Sequence, residues 1–563
     1  MTSSRPFRPT LTALSITLLL SACGTPPPPT VEVNLAVIND LHGYLQPTEQ
    51  PYRDPTAAEG RRTIRAGGIE TLGGLIDDMR KQDAQLLLIG NGDLIGGSPA
   101  LSAMWADEPT ILALNRLGLQ LSSVGNHELD NGKDELRRMI DGGCESNRPG
   151  KACQFQPDYP GADFPYLAAN LIDTKTGKPL VQPYQVLEAH GQKIAFVGAV
   201  LQDLPKMVPA SGMKGLTVGD EADAINALVP ALKAQGVSAI VAVIHQGGGT
   251  PEAYNQANCE NLQGPIVDLA KRLDPAIDLV ASAHTHQSYT CRVDGRPVFQ
   301  GGSYGQFVSH IRLKIDPRLH RVTDVRMENL EVDPNRYAPN KPLAALRQQV
   351  ETLSQALLER PVARLGAEHI GRVPNAAGET AMGNLVADAQ HAALLDQGAQ
   401  VAFMNRGGLR SDLSLEPGQR QLTYAQLAST QPFANTLTLL TMSGEQLRRA
   451  LERQWRADGS ANVLQVSKGI RYEWDESRPL GQRIVPGTLK IDGQLVRDTA
   501  TYKVVASNFL ADGGEGFAEF AQAQQRIDTG ITDITALEHY LVAQDKAGLP
   551  AGKANPEGRI QRR

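Results

Sequence analysis

Six consecutive residues, Gly125-Asn126-His127-Glu128-Leu129-Asp130, gather an amide, an imidazole and two carboxylates. They follow the apolar run Leu119–Val124, which reads as a buried strand ending at a glycine turn. Alone, the stretch could be a polar turn. Four further segments repeat the pattern of an apolar strand closed by a polar loop. One ends in Asn39-Asp40-Leu41-His42, one in Gly90-Asn91-Gly92-Asp93, one in His245 and one in His284-Thr285-His286. A lone histidine at a strand end is usually structural. Five such loops, each rich in nitrogen and oxygen donors, point to a metal centre built from His, Asp and Asn. Ligands of open α/β sheets bind at this strand edge.

The elements that must hold these loops alternate. Between Val31 and about Asp316, strands are followed by amphipathic patterns that predict helices at Ile69–Met79, Glu108–Leu117, Asn131–Ile140, Asp220–Gln235 and Pro265–Leu273. Residues 46–62 are rich in Pro, Gly and charge and read as a loop, and residues 144–165 as a surface excursion. Leu343–Leu358 forms an amphipathic pattern that either links two domains or belongs to the second. A second α/β region begins near Arg364 and carries two polar, glycine-containing loops, Asn405–Arg410 and Ser507–Phe517. The expected organisation is a layered α/β domain over residues 34–325, a linker with a helix over 326–362, a smaller α/β domain over 363–545 and a tail over 546–563.

The chain has 563 residues, 41% hydrophobic and 21% charged, with a formal net charge of -6. That is enough for more than one globular core, and it argues against a nucleic-acid polymer as partner, which would favour a basic surface. Arg5 and Arg8 precede the short apolar run Leu11–Leu20, and Leu20-Ser21-Ala22-Cys23-Gly24 resembles a lipobox. Residues 1–22 are expected to be a signal peptide, with lipid on Cys23 and residues 23–33 a Pro-rich spacer. An ordinary secretory cleavage near Ala22 is the alternative. The protein is therefore expected to be exported and lipid-anchored to a bacterial envelope. It would face the periplasm from the outer membrane if there are two membranes, and lie at the cell surface otherwise. Four cysteines remain, and of their three pairings sequence proximity favours Cys144–Cys153 and Cys259–Cys291.

The order D-x-H, G-D, G-N-H-E, H, H-x-H resembles the calcineurin-like metallophosphoesterases. With the C-terminal half, the chain resembles the bacterial 5'-nucleotidase/UDP-sugar hydrolase family. The resemblance implies a four-layer α/β/β/α sandwich followed by a smaller α/β substrate-binding domain. It implies two divalent metal ions (Zn, Mn or Fe), one held by Asp40, His42, Asp93 and His286, the other by Asp93, Asn126, His245 and His284. Two such ions activate water and clamp phosphoryl oxygens, and Asp93 supplies the bridging carboxylate. His127 and Asp130 match the family's catalytic dyad; an N-cap is the other reading of Asp130. Glu128 is taken as structural.

In the second domain, Asn405 and Arg410 of the Asn-Arg-Gly-Gly-Leu-Arg motif match substrate contacts. Phe433 and Phe509 match the aromatics that sandwich a base, and Asn435 is placed to reach its edge. Two positions depart from the family. Glu515 stands where a ribose-binding Asp is usual, and Gly378 where an Arg is frequent, with Arg372 as an unaligned substitute. The implied activity is hydrolysis of nucleoside monophosphates, and of UDP-sugars or 2',3'-cyclic nucleotides, by a monomer acting on a small nucleotide. The alternatives are a thiosulfohydrolase of sulfur oxidation using the same centre, and a non-catalytic surface-binding lipoprotein.

Overall fold

A computed structural model describes residues 1–2, 30–57, 60–208, 211–433, 435–457 and 459–563. Residues 3–22 of the expected signal peptide and Cys23 lie outside these. Among the described residues no helix is long and apolar enough to cross a membrane.

The first domain holds two sheets face to face. The first sheet runs Arg321–Glu331, Phe307–Asp316, Val31–Ile38, Leu87–Asn91, Leu121–Ser123, Tyr166–Leu167. Its last four strands are parallel, so their C-terminal ends share one edge. The second sheet has Gln192–Val200, Ala239–His245 and Leu279–Ala281 as adjacent parallel strands. Alternate side chains from both sheets, among them Leu35, Val37, Ile89, Phe196, Val241 and Phe299, form the core between them. Helices cover each outer face. Ile69–Gln82 and Glu108–Leu117 pack on the first sheet, and Glu221–Asn226 and Pro265–Arg272 on the second. This is the expected α/β/β/α layering.

Local expectations failed in four places. Residues 47–67 are not a loop but a hairpin, Pro47–Arg53 paired with Arg61–Gly67. Few of its side chains are buried, among them Tyr52, Ile64 and Ala66, so no sustained apolar alternation marks it. The helix expected over 220–235 is split into Glu221–Asn226 and Val229–Ala234. Pro230 starts the second piece, since it cannot donate to a continuing helix. The first domain extends past 325, because Arg321–Glu331 is the edge strand of its first sheet. The segment 546–563 is no tail, because Ile560–Arg562 pairs in parallel with Ile470–Trp474. Arg559 is buried there, with Asp388 and Glu557 as ion-pair partners.

Helix Lys341–Leu358 buries Leu343, Leu346 and Val350 in the first domain's core. It therefore packs on the domain that precedes it. The second domain is built on the five-stranded sheet Gln465–Val466, Val401–Met404, Thr501–Ser507, Thr436–Ser443, Gln525–Thr532. Helix Ala381–Ala393 lies against it, capped by Thr380, whose hydroxyl accepts the Gly383 N–H at 2.9 Å. Both favoured disulfides, Cys144–Cys153 and Cys259–Cys291, are present.

Candidate metal centre and substrate cavity

The C-terminal edges of the two sheets meet, and the five polar loops meet with them. Asp40, His42, Asp93, His284 and His286 all have backbone φ between 47° and 71°. That left-handed region is uncommon for residues with a side chain, and strain of this kind gathers at functional sites. Packing alone gives no reason for five donors in this conformation.

The side chains fall into overlapping groups; His42, Asp93 and His127 form one that shares members with the two outer ones. Asp40, His42 and His286 bring one donor atom each within 4.8 Å of one another, and so do Asp93, His245 and His284. Asp93 lies between them, its Oδ2 3.6 Å from His42 Nε2 and 3.1 Å from His245 Nε2. Asn126 joins the second group, with Oδ1 2.9 Å from His284 Nδ1. His42 and His245 each turn Nδ1 to a backbone carbonyl, Gly96 at 2.8 Å and Asn91 at 2.9 Å. Donation there leaves Nε2 as the ligating atom.

These residues fit divalent cations. His42 Nε2 and His286 Nε2 face each other at 3.0 Å, and the buried His245 Nε2 has Asp93 Oδ2 as its near neighbour, at 3.1 Å. Burial holds His42 and His286 below the usual histidine range and His284 at about 4, so all three are neutral, the form that binds metal. Burial pushes Asp40 up to about 7. Burial also opposes charge on Asp93, but His245 and His127 override it and keep the carboxylate ionised. His245 in turn is driven to about 10, against burial, by Asp93 and Asp40. A protonated His245 offsets the buried carboxylate charge, a role that a divalent cation would fill when bound.

Glu128 does more than the sequence disclosed. Its carboxylate accepts the backbone N–H groups of Asp93, Leu94 and Gly125 at 2.9, 2.8 and 2.7 Å. It ties the Asp93 loop to the Asn126 loop. Gly125 is required between them, since a Cβ there would stand 2.2 Å from Asp93 Oδ1.

His127 Nδ1 lies 2.8 Å from Asp130 Oδ2. Burial disfavours the imidazolium, but Asp130 and Asp93 outweigh it and raise the His127 pKa. Asp130 is not the cap of the following helix; Asn131 holds that position, without a side-chain hydrogen bond.

The second domain closes over this centre. A cavity of about 230 Å³ is lined by Asn126, His127, Asp130 and His284 from one domain, and by Asn405, Arg410, Phe433, Asn435, Phe509 and Glu515 from the other. Phe433 stacks on the His127 ring at 5.3 Å, and the Arg410 guanidinium lies 5.5 Å from the Phe433 centroid. Glu515 accepts from Asn405 Nδ2 and Asn462 Nδ2, each at 2.5 Å. Arg372 does not line this cavity and so does not replace the Arg absent at Gly378. Asp412 and the Leu409 carbonyl hold its guanidinium.

Sequence reasoning missed Asn462, Tyr44 and Tyr304. Tyr304 packs on Tyr44 at 4.1 Å and its ring is 5.2 Å from His286. Its N–H donates to the Asp40 carbonyl at 2.7 Å, so it braces a ligand loop. Nothing in the local sequence singles these residues out.

Residues 33–288 match the family model for the calcineurin-like phosphoesterase, and residues 361–522 that for the 5'-nucleotidase C-terminal domain. The chain belongs to the 5'-nucleotidase family of metallophosphoesterases. A 5'-nucleotidase of Vibrio parahaemolyticus is 25% identical over 597 residues, covering 98% of this chain and 97% of that protein. Endonuclease YhcR of Bacillus subtilis is 29% identical over 528 residues, covering 93% of this chain; the chain spans 40% of that relative's length. Two solved structures share the fold of this 5'-nucleotidase family member. A 5'-nucleotidase precursor of Thermus thermophilus has a TM-score of 0.74 at 23% identity, covering 94% of this chain and 99% of that one. The sulfate thiohydrolase SoxB of Thermus thermophilus has a TM-score of 0.69 at 19% identity, covering 95% and 98%. The family places the chain among hydrolases of phosphoric esters.

Proposed function

We propose that the protein is an exported, metal-dependent 5'-nucleotidase that removes the 5'-phosphate from nucleoside monophosphates. The observation that carries this reading is the shared cavity. One wall holds the His/Asp/Asn donors, and the other holds a guanidinium, two phenylalanines, two asparagines and a carboxylate. A phosphoryl group at the first wall leaves its nucleoside at the second.

Asp40, His42, Asp93 and His286 would hold one divalent ion, and Asp93, Asn126, His245 and His284 the other. Bound there, the pair supplies charge neutralisation and an activated water. Arg410 presents a planar fork to the phosphoryl oxygens. His127, kept protonated by Asp130, donates a hydrogen bond to the charge that develops as the ester bond breaks. Phe433 and Phe509 stack on the base, which tolerates many bases. Asn435 meets the base edge, and Glu515 accepts from the ribose hydroxyls. The Phe433–His127 stack must open to admit a base against Phe433, so substrate binding separates this contact.

Export and lipid attachment at Cys23 belong to the same proposal, supported by the charged, apolar and lipobox segments of residues 5–24. The test is phosphate release from AMP, other mononucleotides, 2',3'-cyclic nucleotides and UDP-glucose, with Mn²⁺ or Zn²⁺ added. Within this panel, the mononucleotides are expected to release phosphate faster than the cyclic nucleotides or UDP-glucose. Release from a generic aryl phosphate but from no nucleotide contradicts the base sandwich and returns the centre to a different ester.

A further inference from the structure

Behind the Asn405–Arg410 loop lies a second cavity, of about 300 Å³, that the proposed chemistry does not use. Its lining includes Arg372, Arg406 and Arg456 and no carboxylate. Arg372 is paired with Asp412. Among the described residues, neither Arg406 nor Arg456 has an ion-pair partner; the Arg456 guanidinium donates to the Glu515 backbone carbonyl, at 3.3 Å. Thr380, the cap of the 13-residue helix Ala381–Ala393, lines the same space. The positive end of that helix adds to the guanidinium charge. Arg406 and Arg456 thus bring two guanidinium groups without an ion-pair partner to one hollow, beside a third, Arg372, that Asp412 neutralises.

The partition from the substrate cavity is thin. Gly407 lines both cavities. A Cβ on it would stand 2.3 Å from Glu515 Oε1, so glycine alone leaves the wall this narrow. Glu515 lines the substrate cavity, while its other oxygen is held by Asn462, which lines the arginine cavity. If Glu515 meets the ribose hydroxyls, the arginines stand on the other side of Gly407 from that ribose.

We infer that the arginine cavity binds a second phosphate, carried on the ribose of the 5'-nucleotide, and so selects nucleoside 3',5'-bisphosphates over simple monophosphates. The inference rests on the nucleotidase reading of the neighbouring cavity. The reaction is unchanged: a water oxygen bonds to the 5'-phosphorus, the P–O5' bond breaks, and O5' leaves with a proton. The products are orthophosphate and the nucleoside 3'-phosphate.

The experiment compares KM for AMP, adenosine 3',5'-bisphosphate and the 5'-phosphorylated dinucleotide pApA in the metal-loaded wild type and in the double variant Arg406→Ala/Arg456→Ala. The wild type is expected to show a lower KM for the bisphosphate than for AMP. The double variant is expected to raise the bisphosphate KM by about ten-fold, the scale of a lost charge-assisted contact, and to leave that for AMP nearly unchanged. A pApA response matching that of the bisphosphate assigns the phosphate to a strand end; a weaker one assigns it to the free bisphosphate. A wild type with no preference for the bisphosphate overturns the inference alone, as does a variant that loses both substrates in parallel. A wild type that hydrolyses an aryl phosphate but no nucleotide overturns the nucleotidase reading, and the inference falls with it.

Discussion

Glu128 accepts the backbone N–H of Asp93 at 2.9 Å, from a position 35 residues away in sequence. A carboxylate that is not a ligand thus fixes the loop of the residue that lies between both donor groups. Glu128→Gln keeps the shape but turns an N–H₂ towards backbone N–H donors. The variant should stay folded and bind divalent metal about 10–100-fold more weakly, the usual cost of losing a residue that orients ligands. Titration of metal into the chelated protein checks this. Unchanged affinity would mean the loop holds itself.

The His127–Asp130 pair sets a pH dependence. The folded pKa of His127 is raised, so its donor form is complete at low pH and is lost as pH rises through that raised value. Asp130→Asn removes the main support, so the alkaline limb of kcat should move to lower pH. His127→Asn should lower kcat by about 10²–10⁴, the range for a positioned proton donor. An alkaline limb in the same place in both proteins assigns it to another group.

Phe509→Ala should raise KM for AMP by about ten-fold, since one face of a stacked base is worth roughly 1–3 kcal/mol. Hydrolysis of an aryl phosphate, which has no base to sandwich, should change much less. Equal loss on both substrates would make Phe509 a packing residue.

Asp533 offers a stability test at a residue that is no metal donor, behind Asn435 of the substrate cavity. It is fully buried, and burial pushes its pKa to about 7, with hydrogen bonds from Ile534 and Asn435 offsetting only part. Between about pH 4 and 7 the folded chain keeps a proton that the unfolded chain has released. Stability is therefore lost as pH rises through that window, by about 1.4 kcal/mol per unit of the gap. Asp533→Asn carries no such penalty. Its Tm advantage over the wild type should grow from acid to mildly alkaline pH, and a constant difference would contradict the argument.

The centre was legible in sequence because each donor loop directly follows an apolar strand, and parallel strands carry their C-terminal ends to one edge. What could not be read depends on contacts between distant segments. Asn462 matters only because it meets Glu515, 53 residues on. Glu128 lies in the most conspicuous motif, yet its role exists only once the Asp93 loop folds beside it. Ile560–Arg562 looks like a charged end until Ile470–Trp474 offers it an edge. The hairpin at 47–67 is held by backbone pairing with few buried side chains, so polarity hid it.

The proposed nucleotidase chemistry depends on Asp93, which would contribute a ligand to both divalent ions. The most direct measurement is metal content per chain taken together with phosphate release from AMP, for the wild type and Asp93→Ala. Two divalent equivalents are expected in the wild type, with activity lost to chelator and restored by metal, and a variant that is folded, metal-poor and at least about 10³-fold slower. Chelator-resistant release, or a variant as active as the wild type, would contradict it.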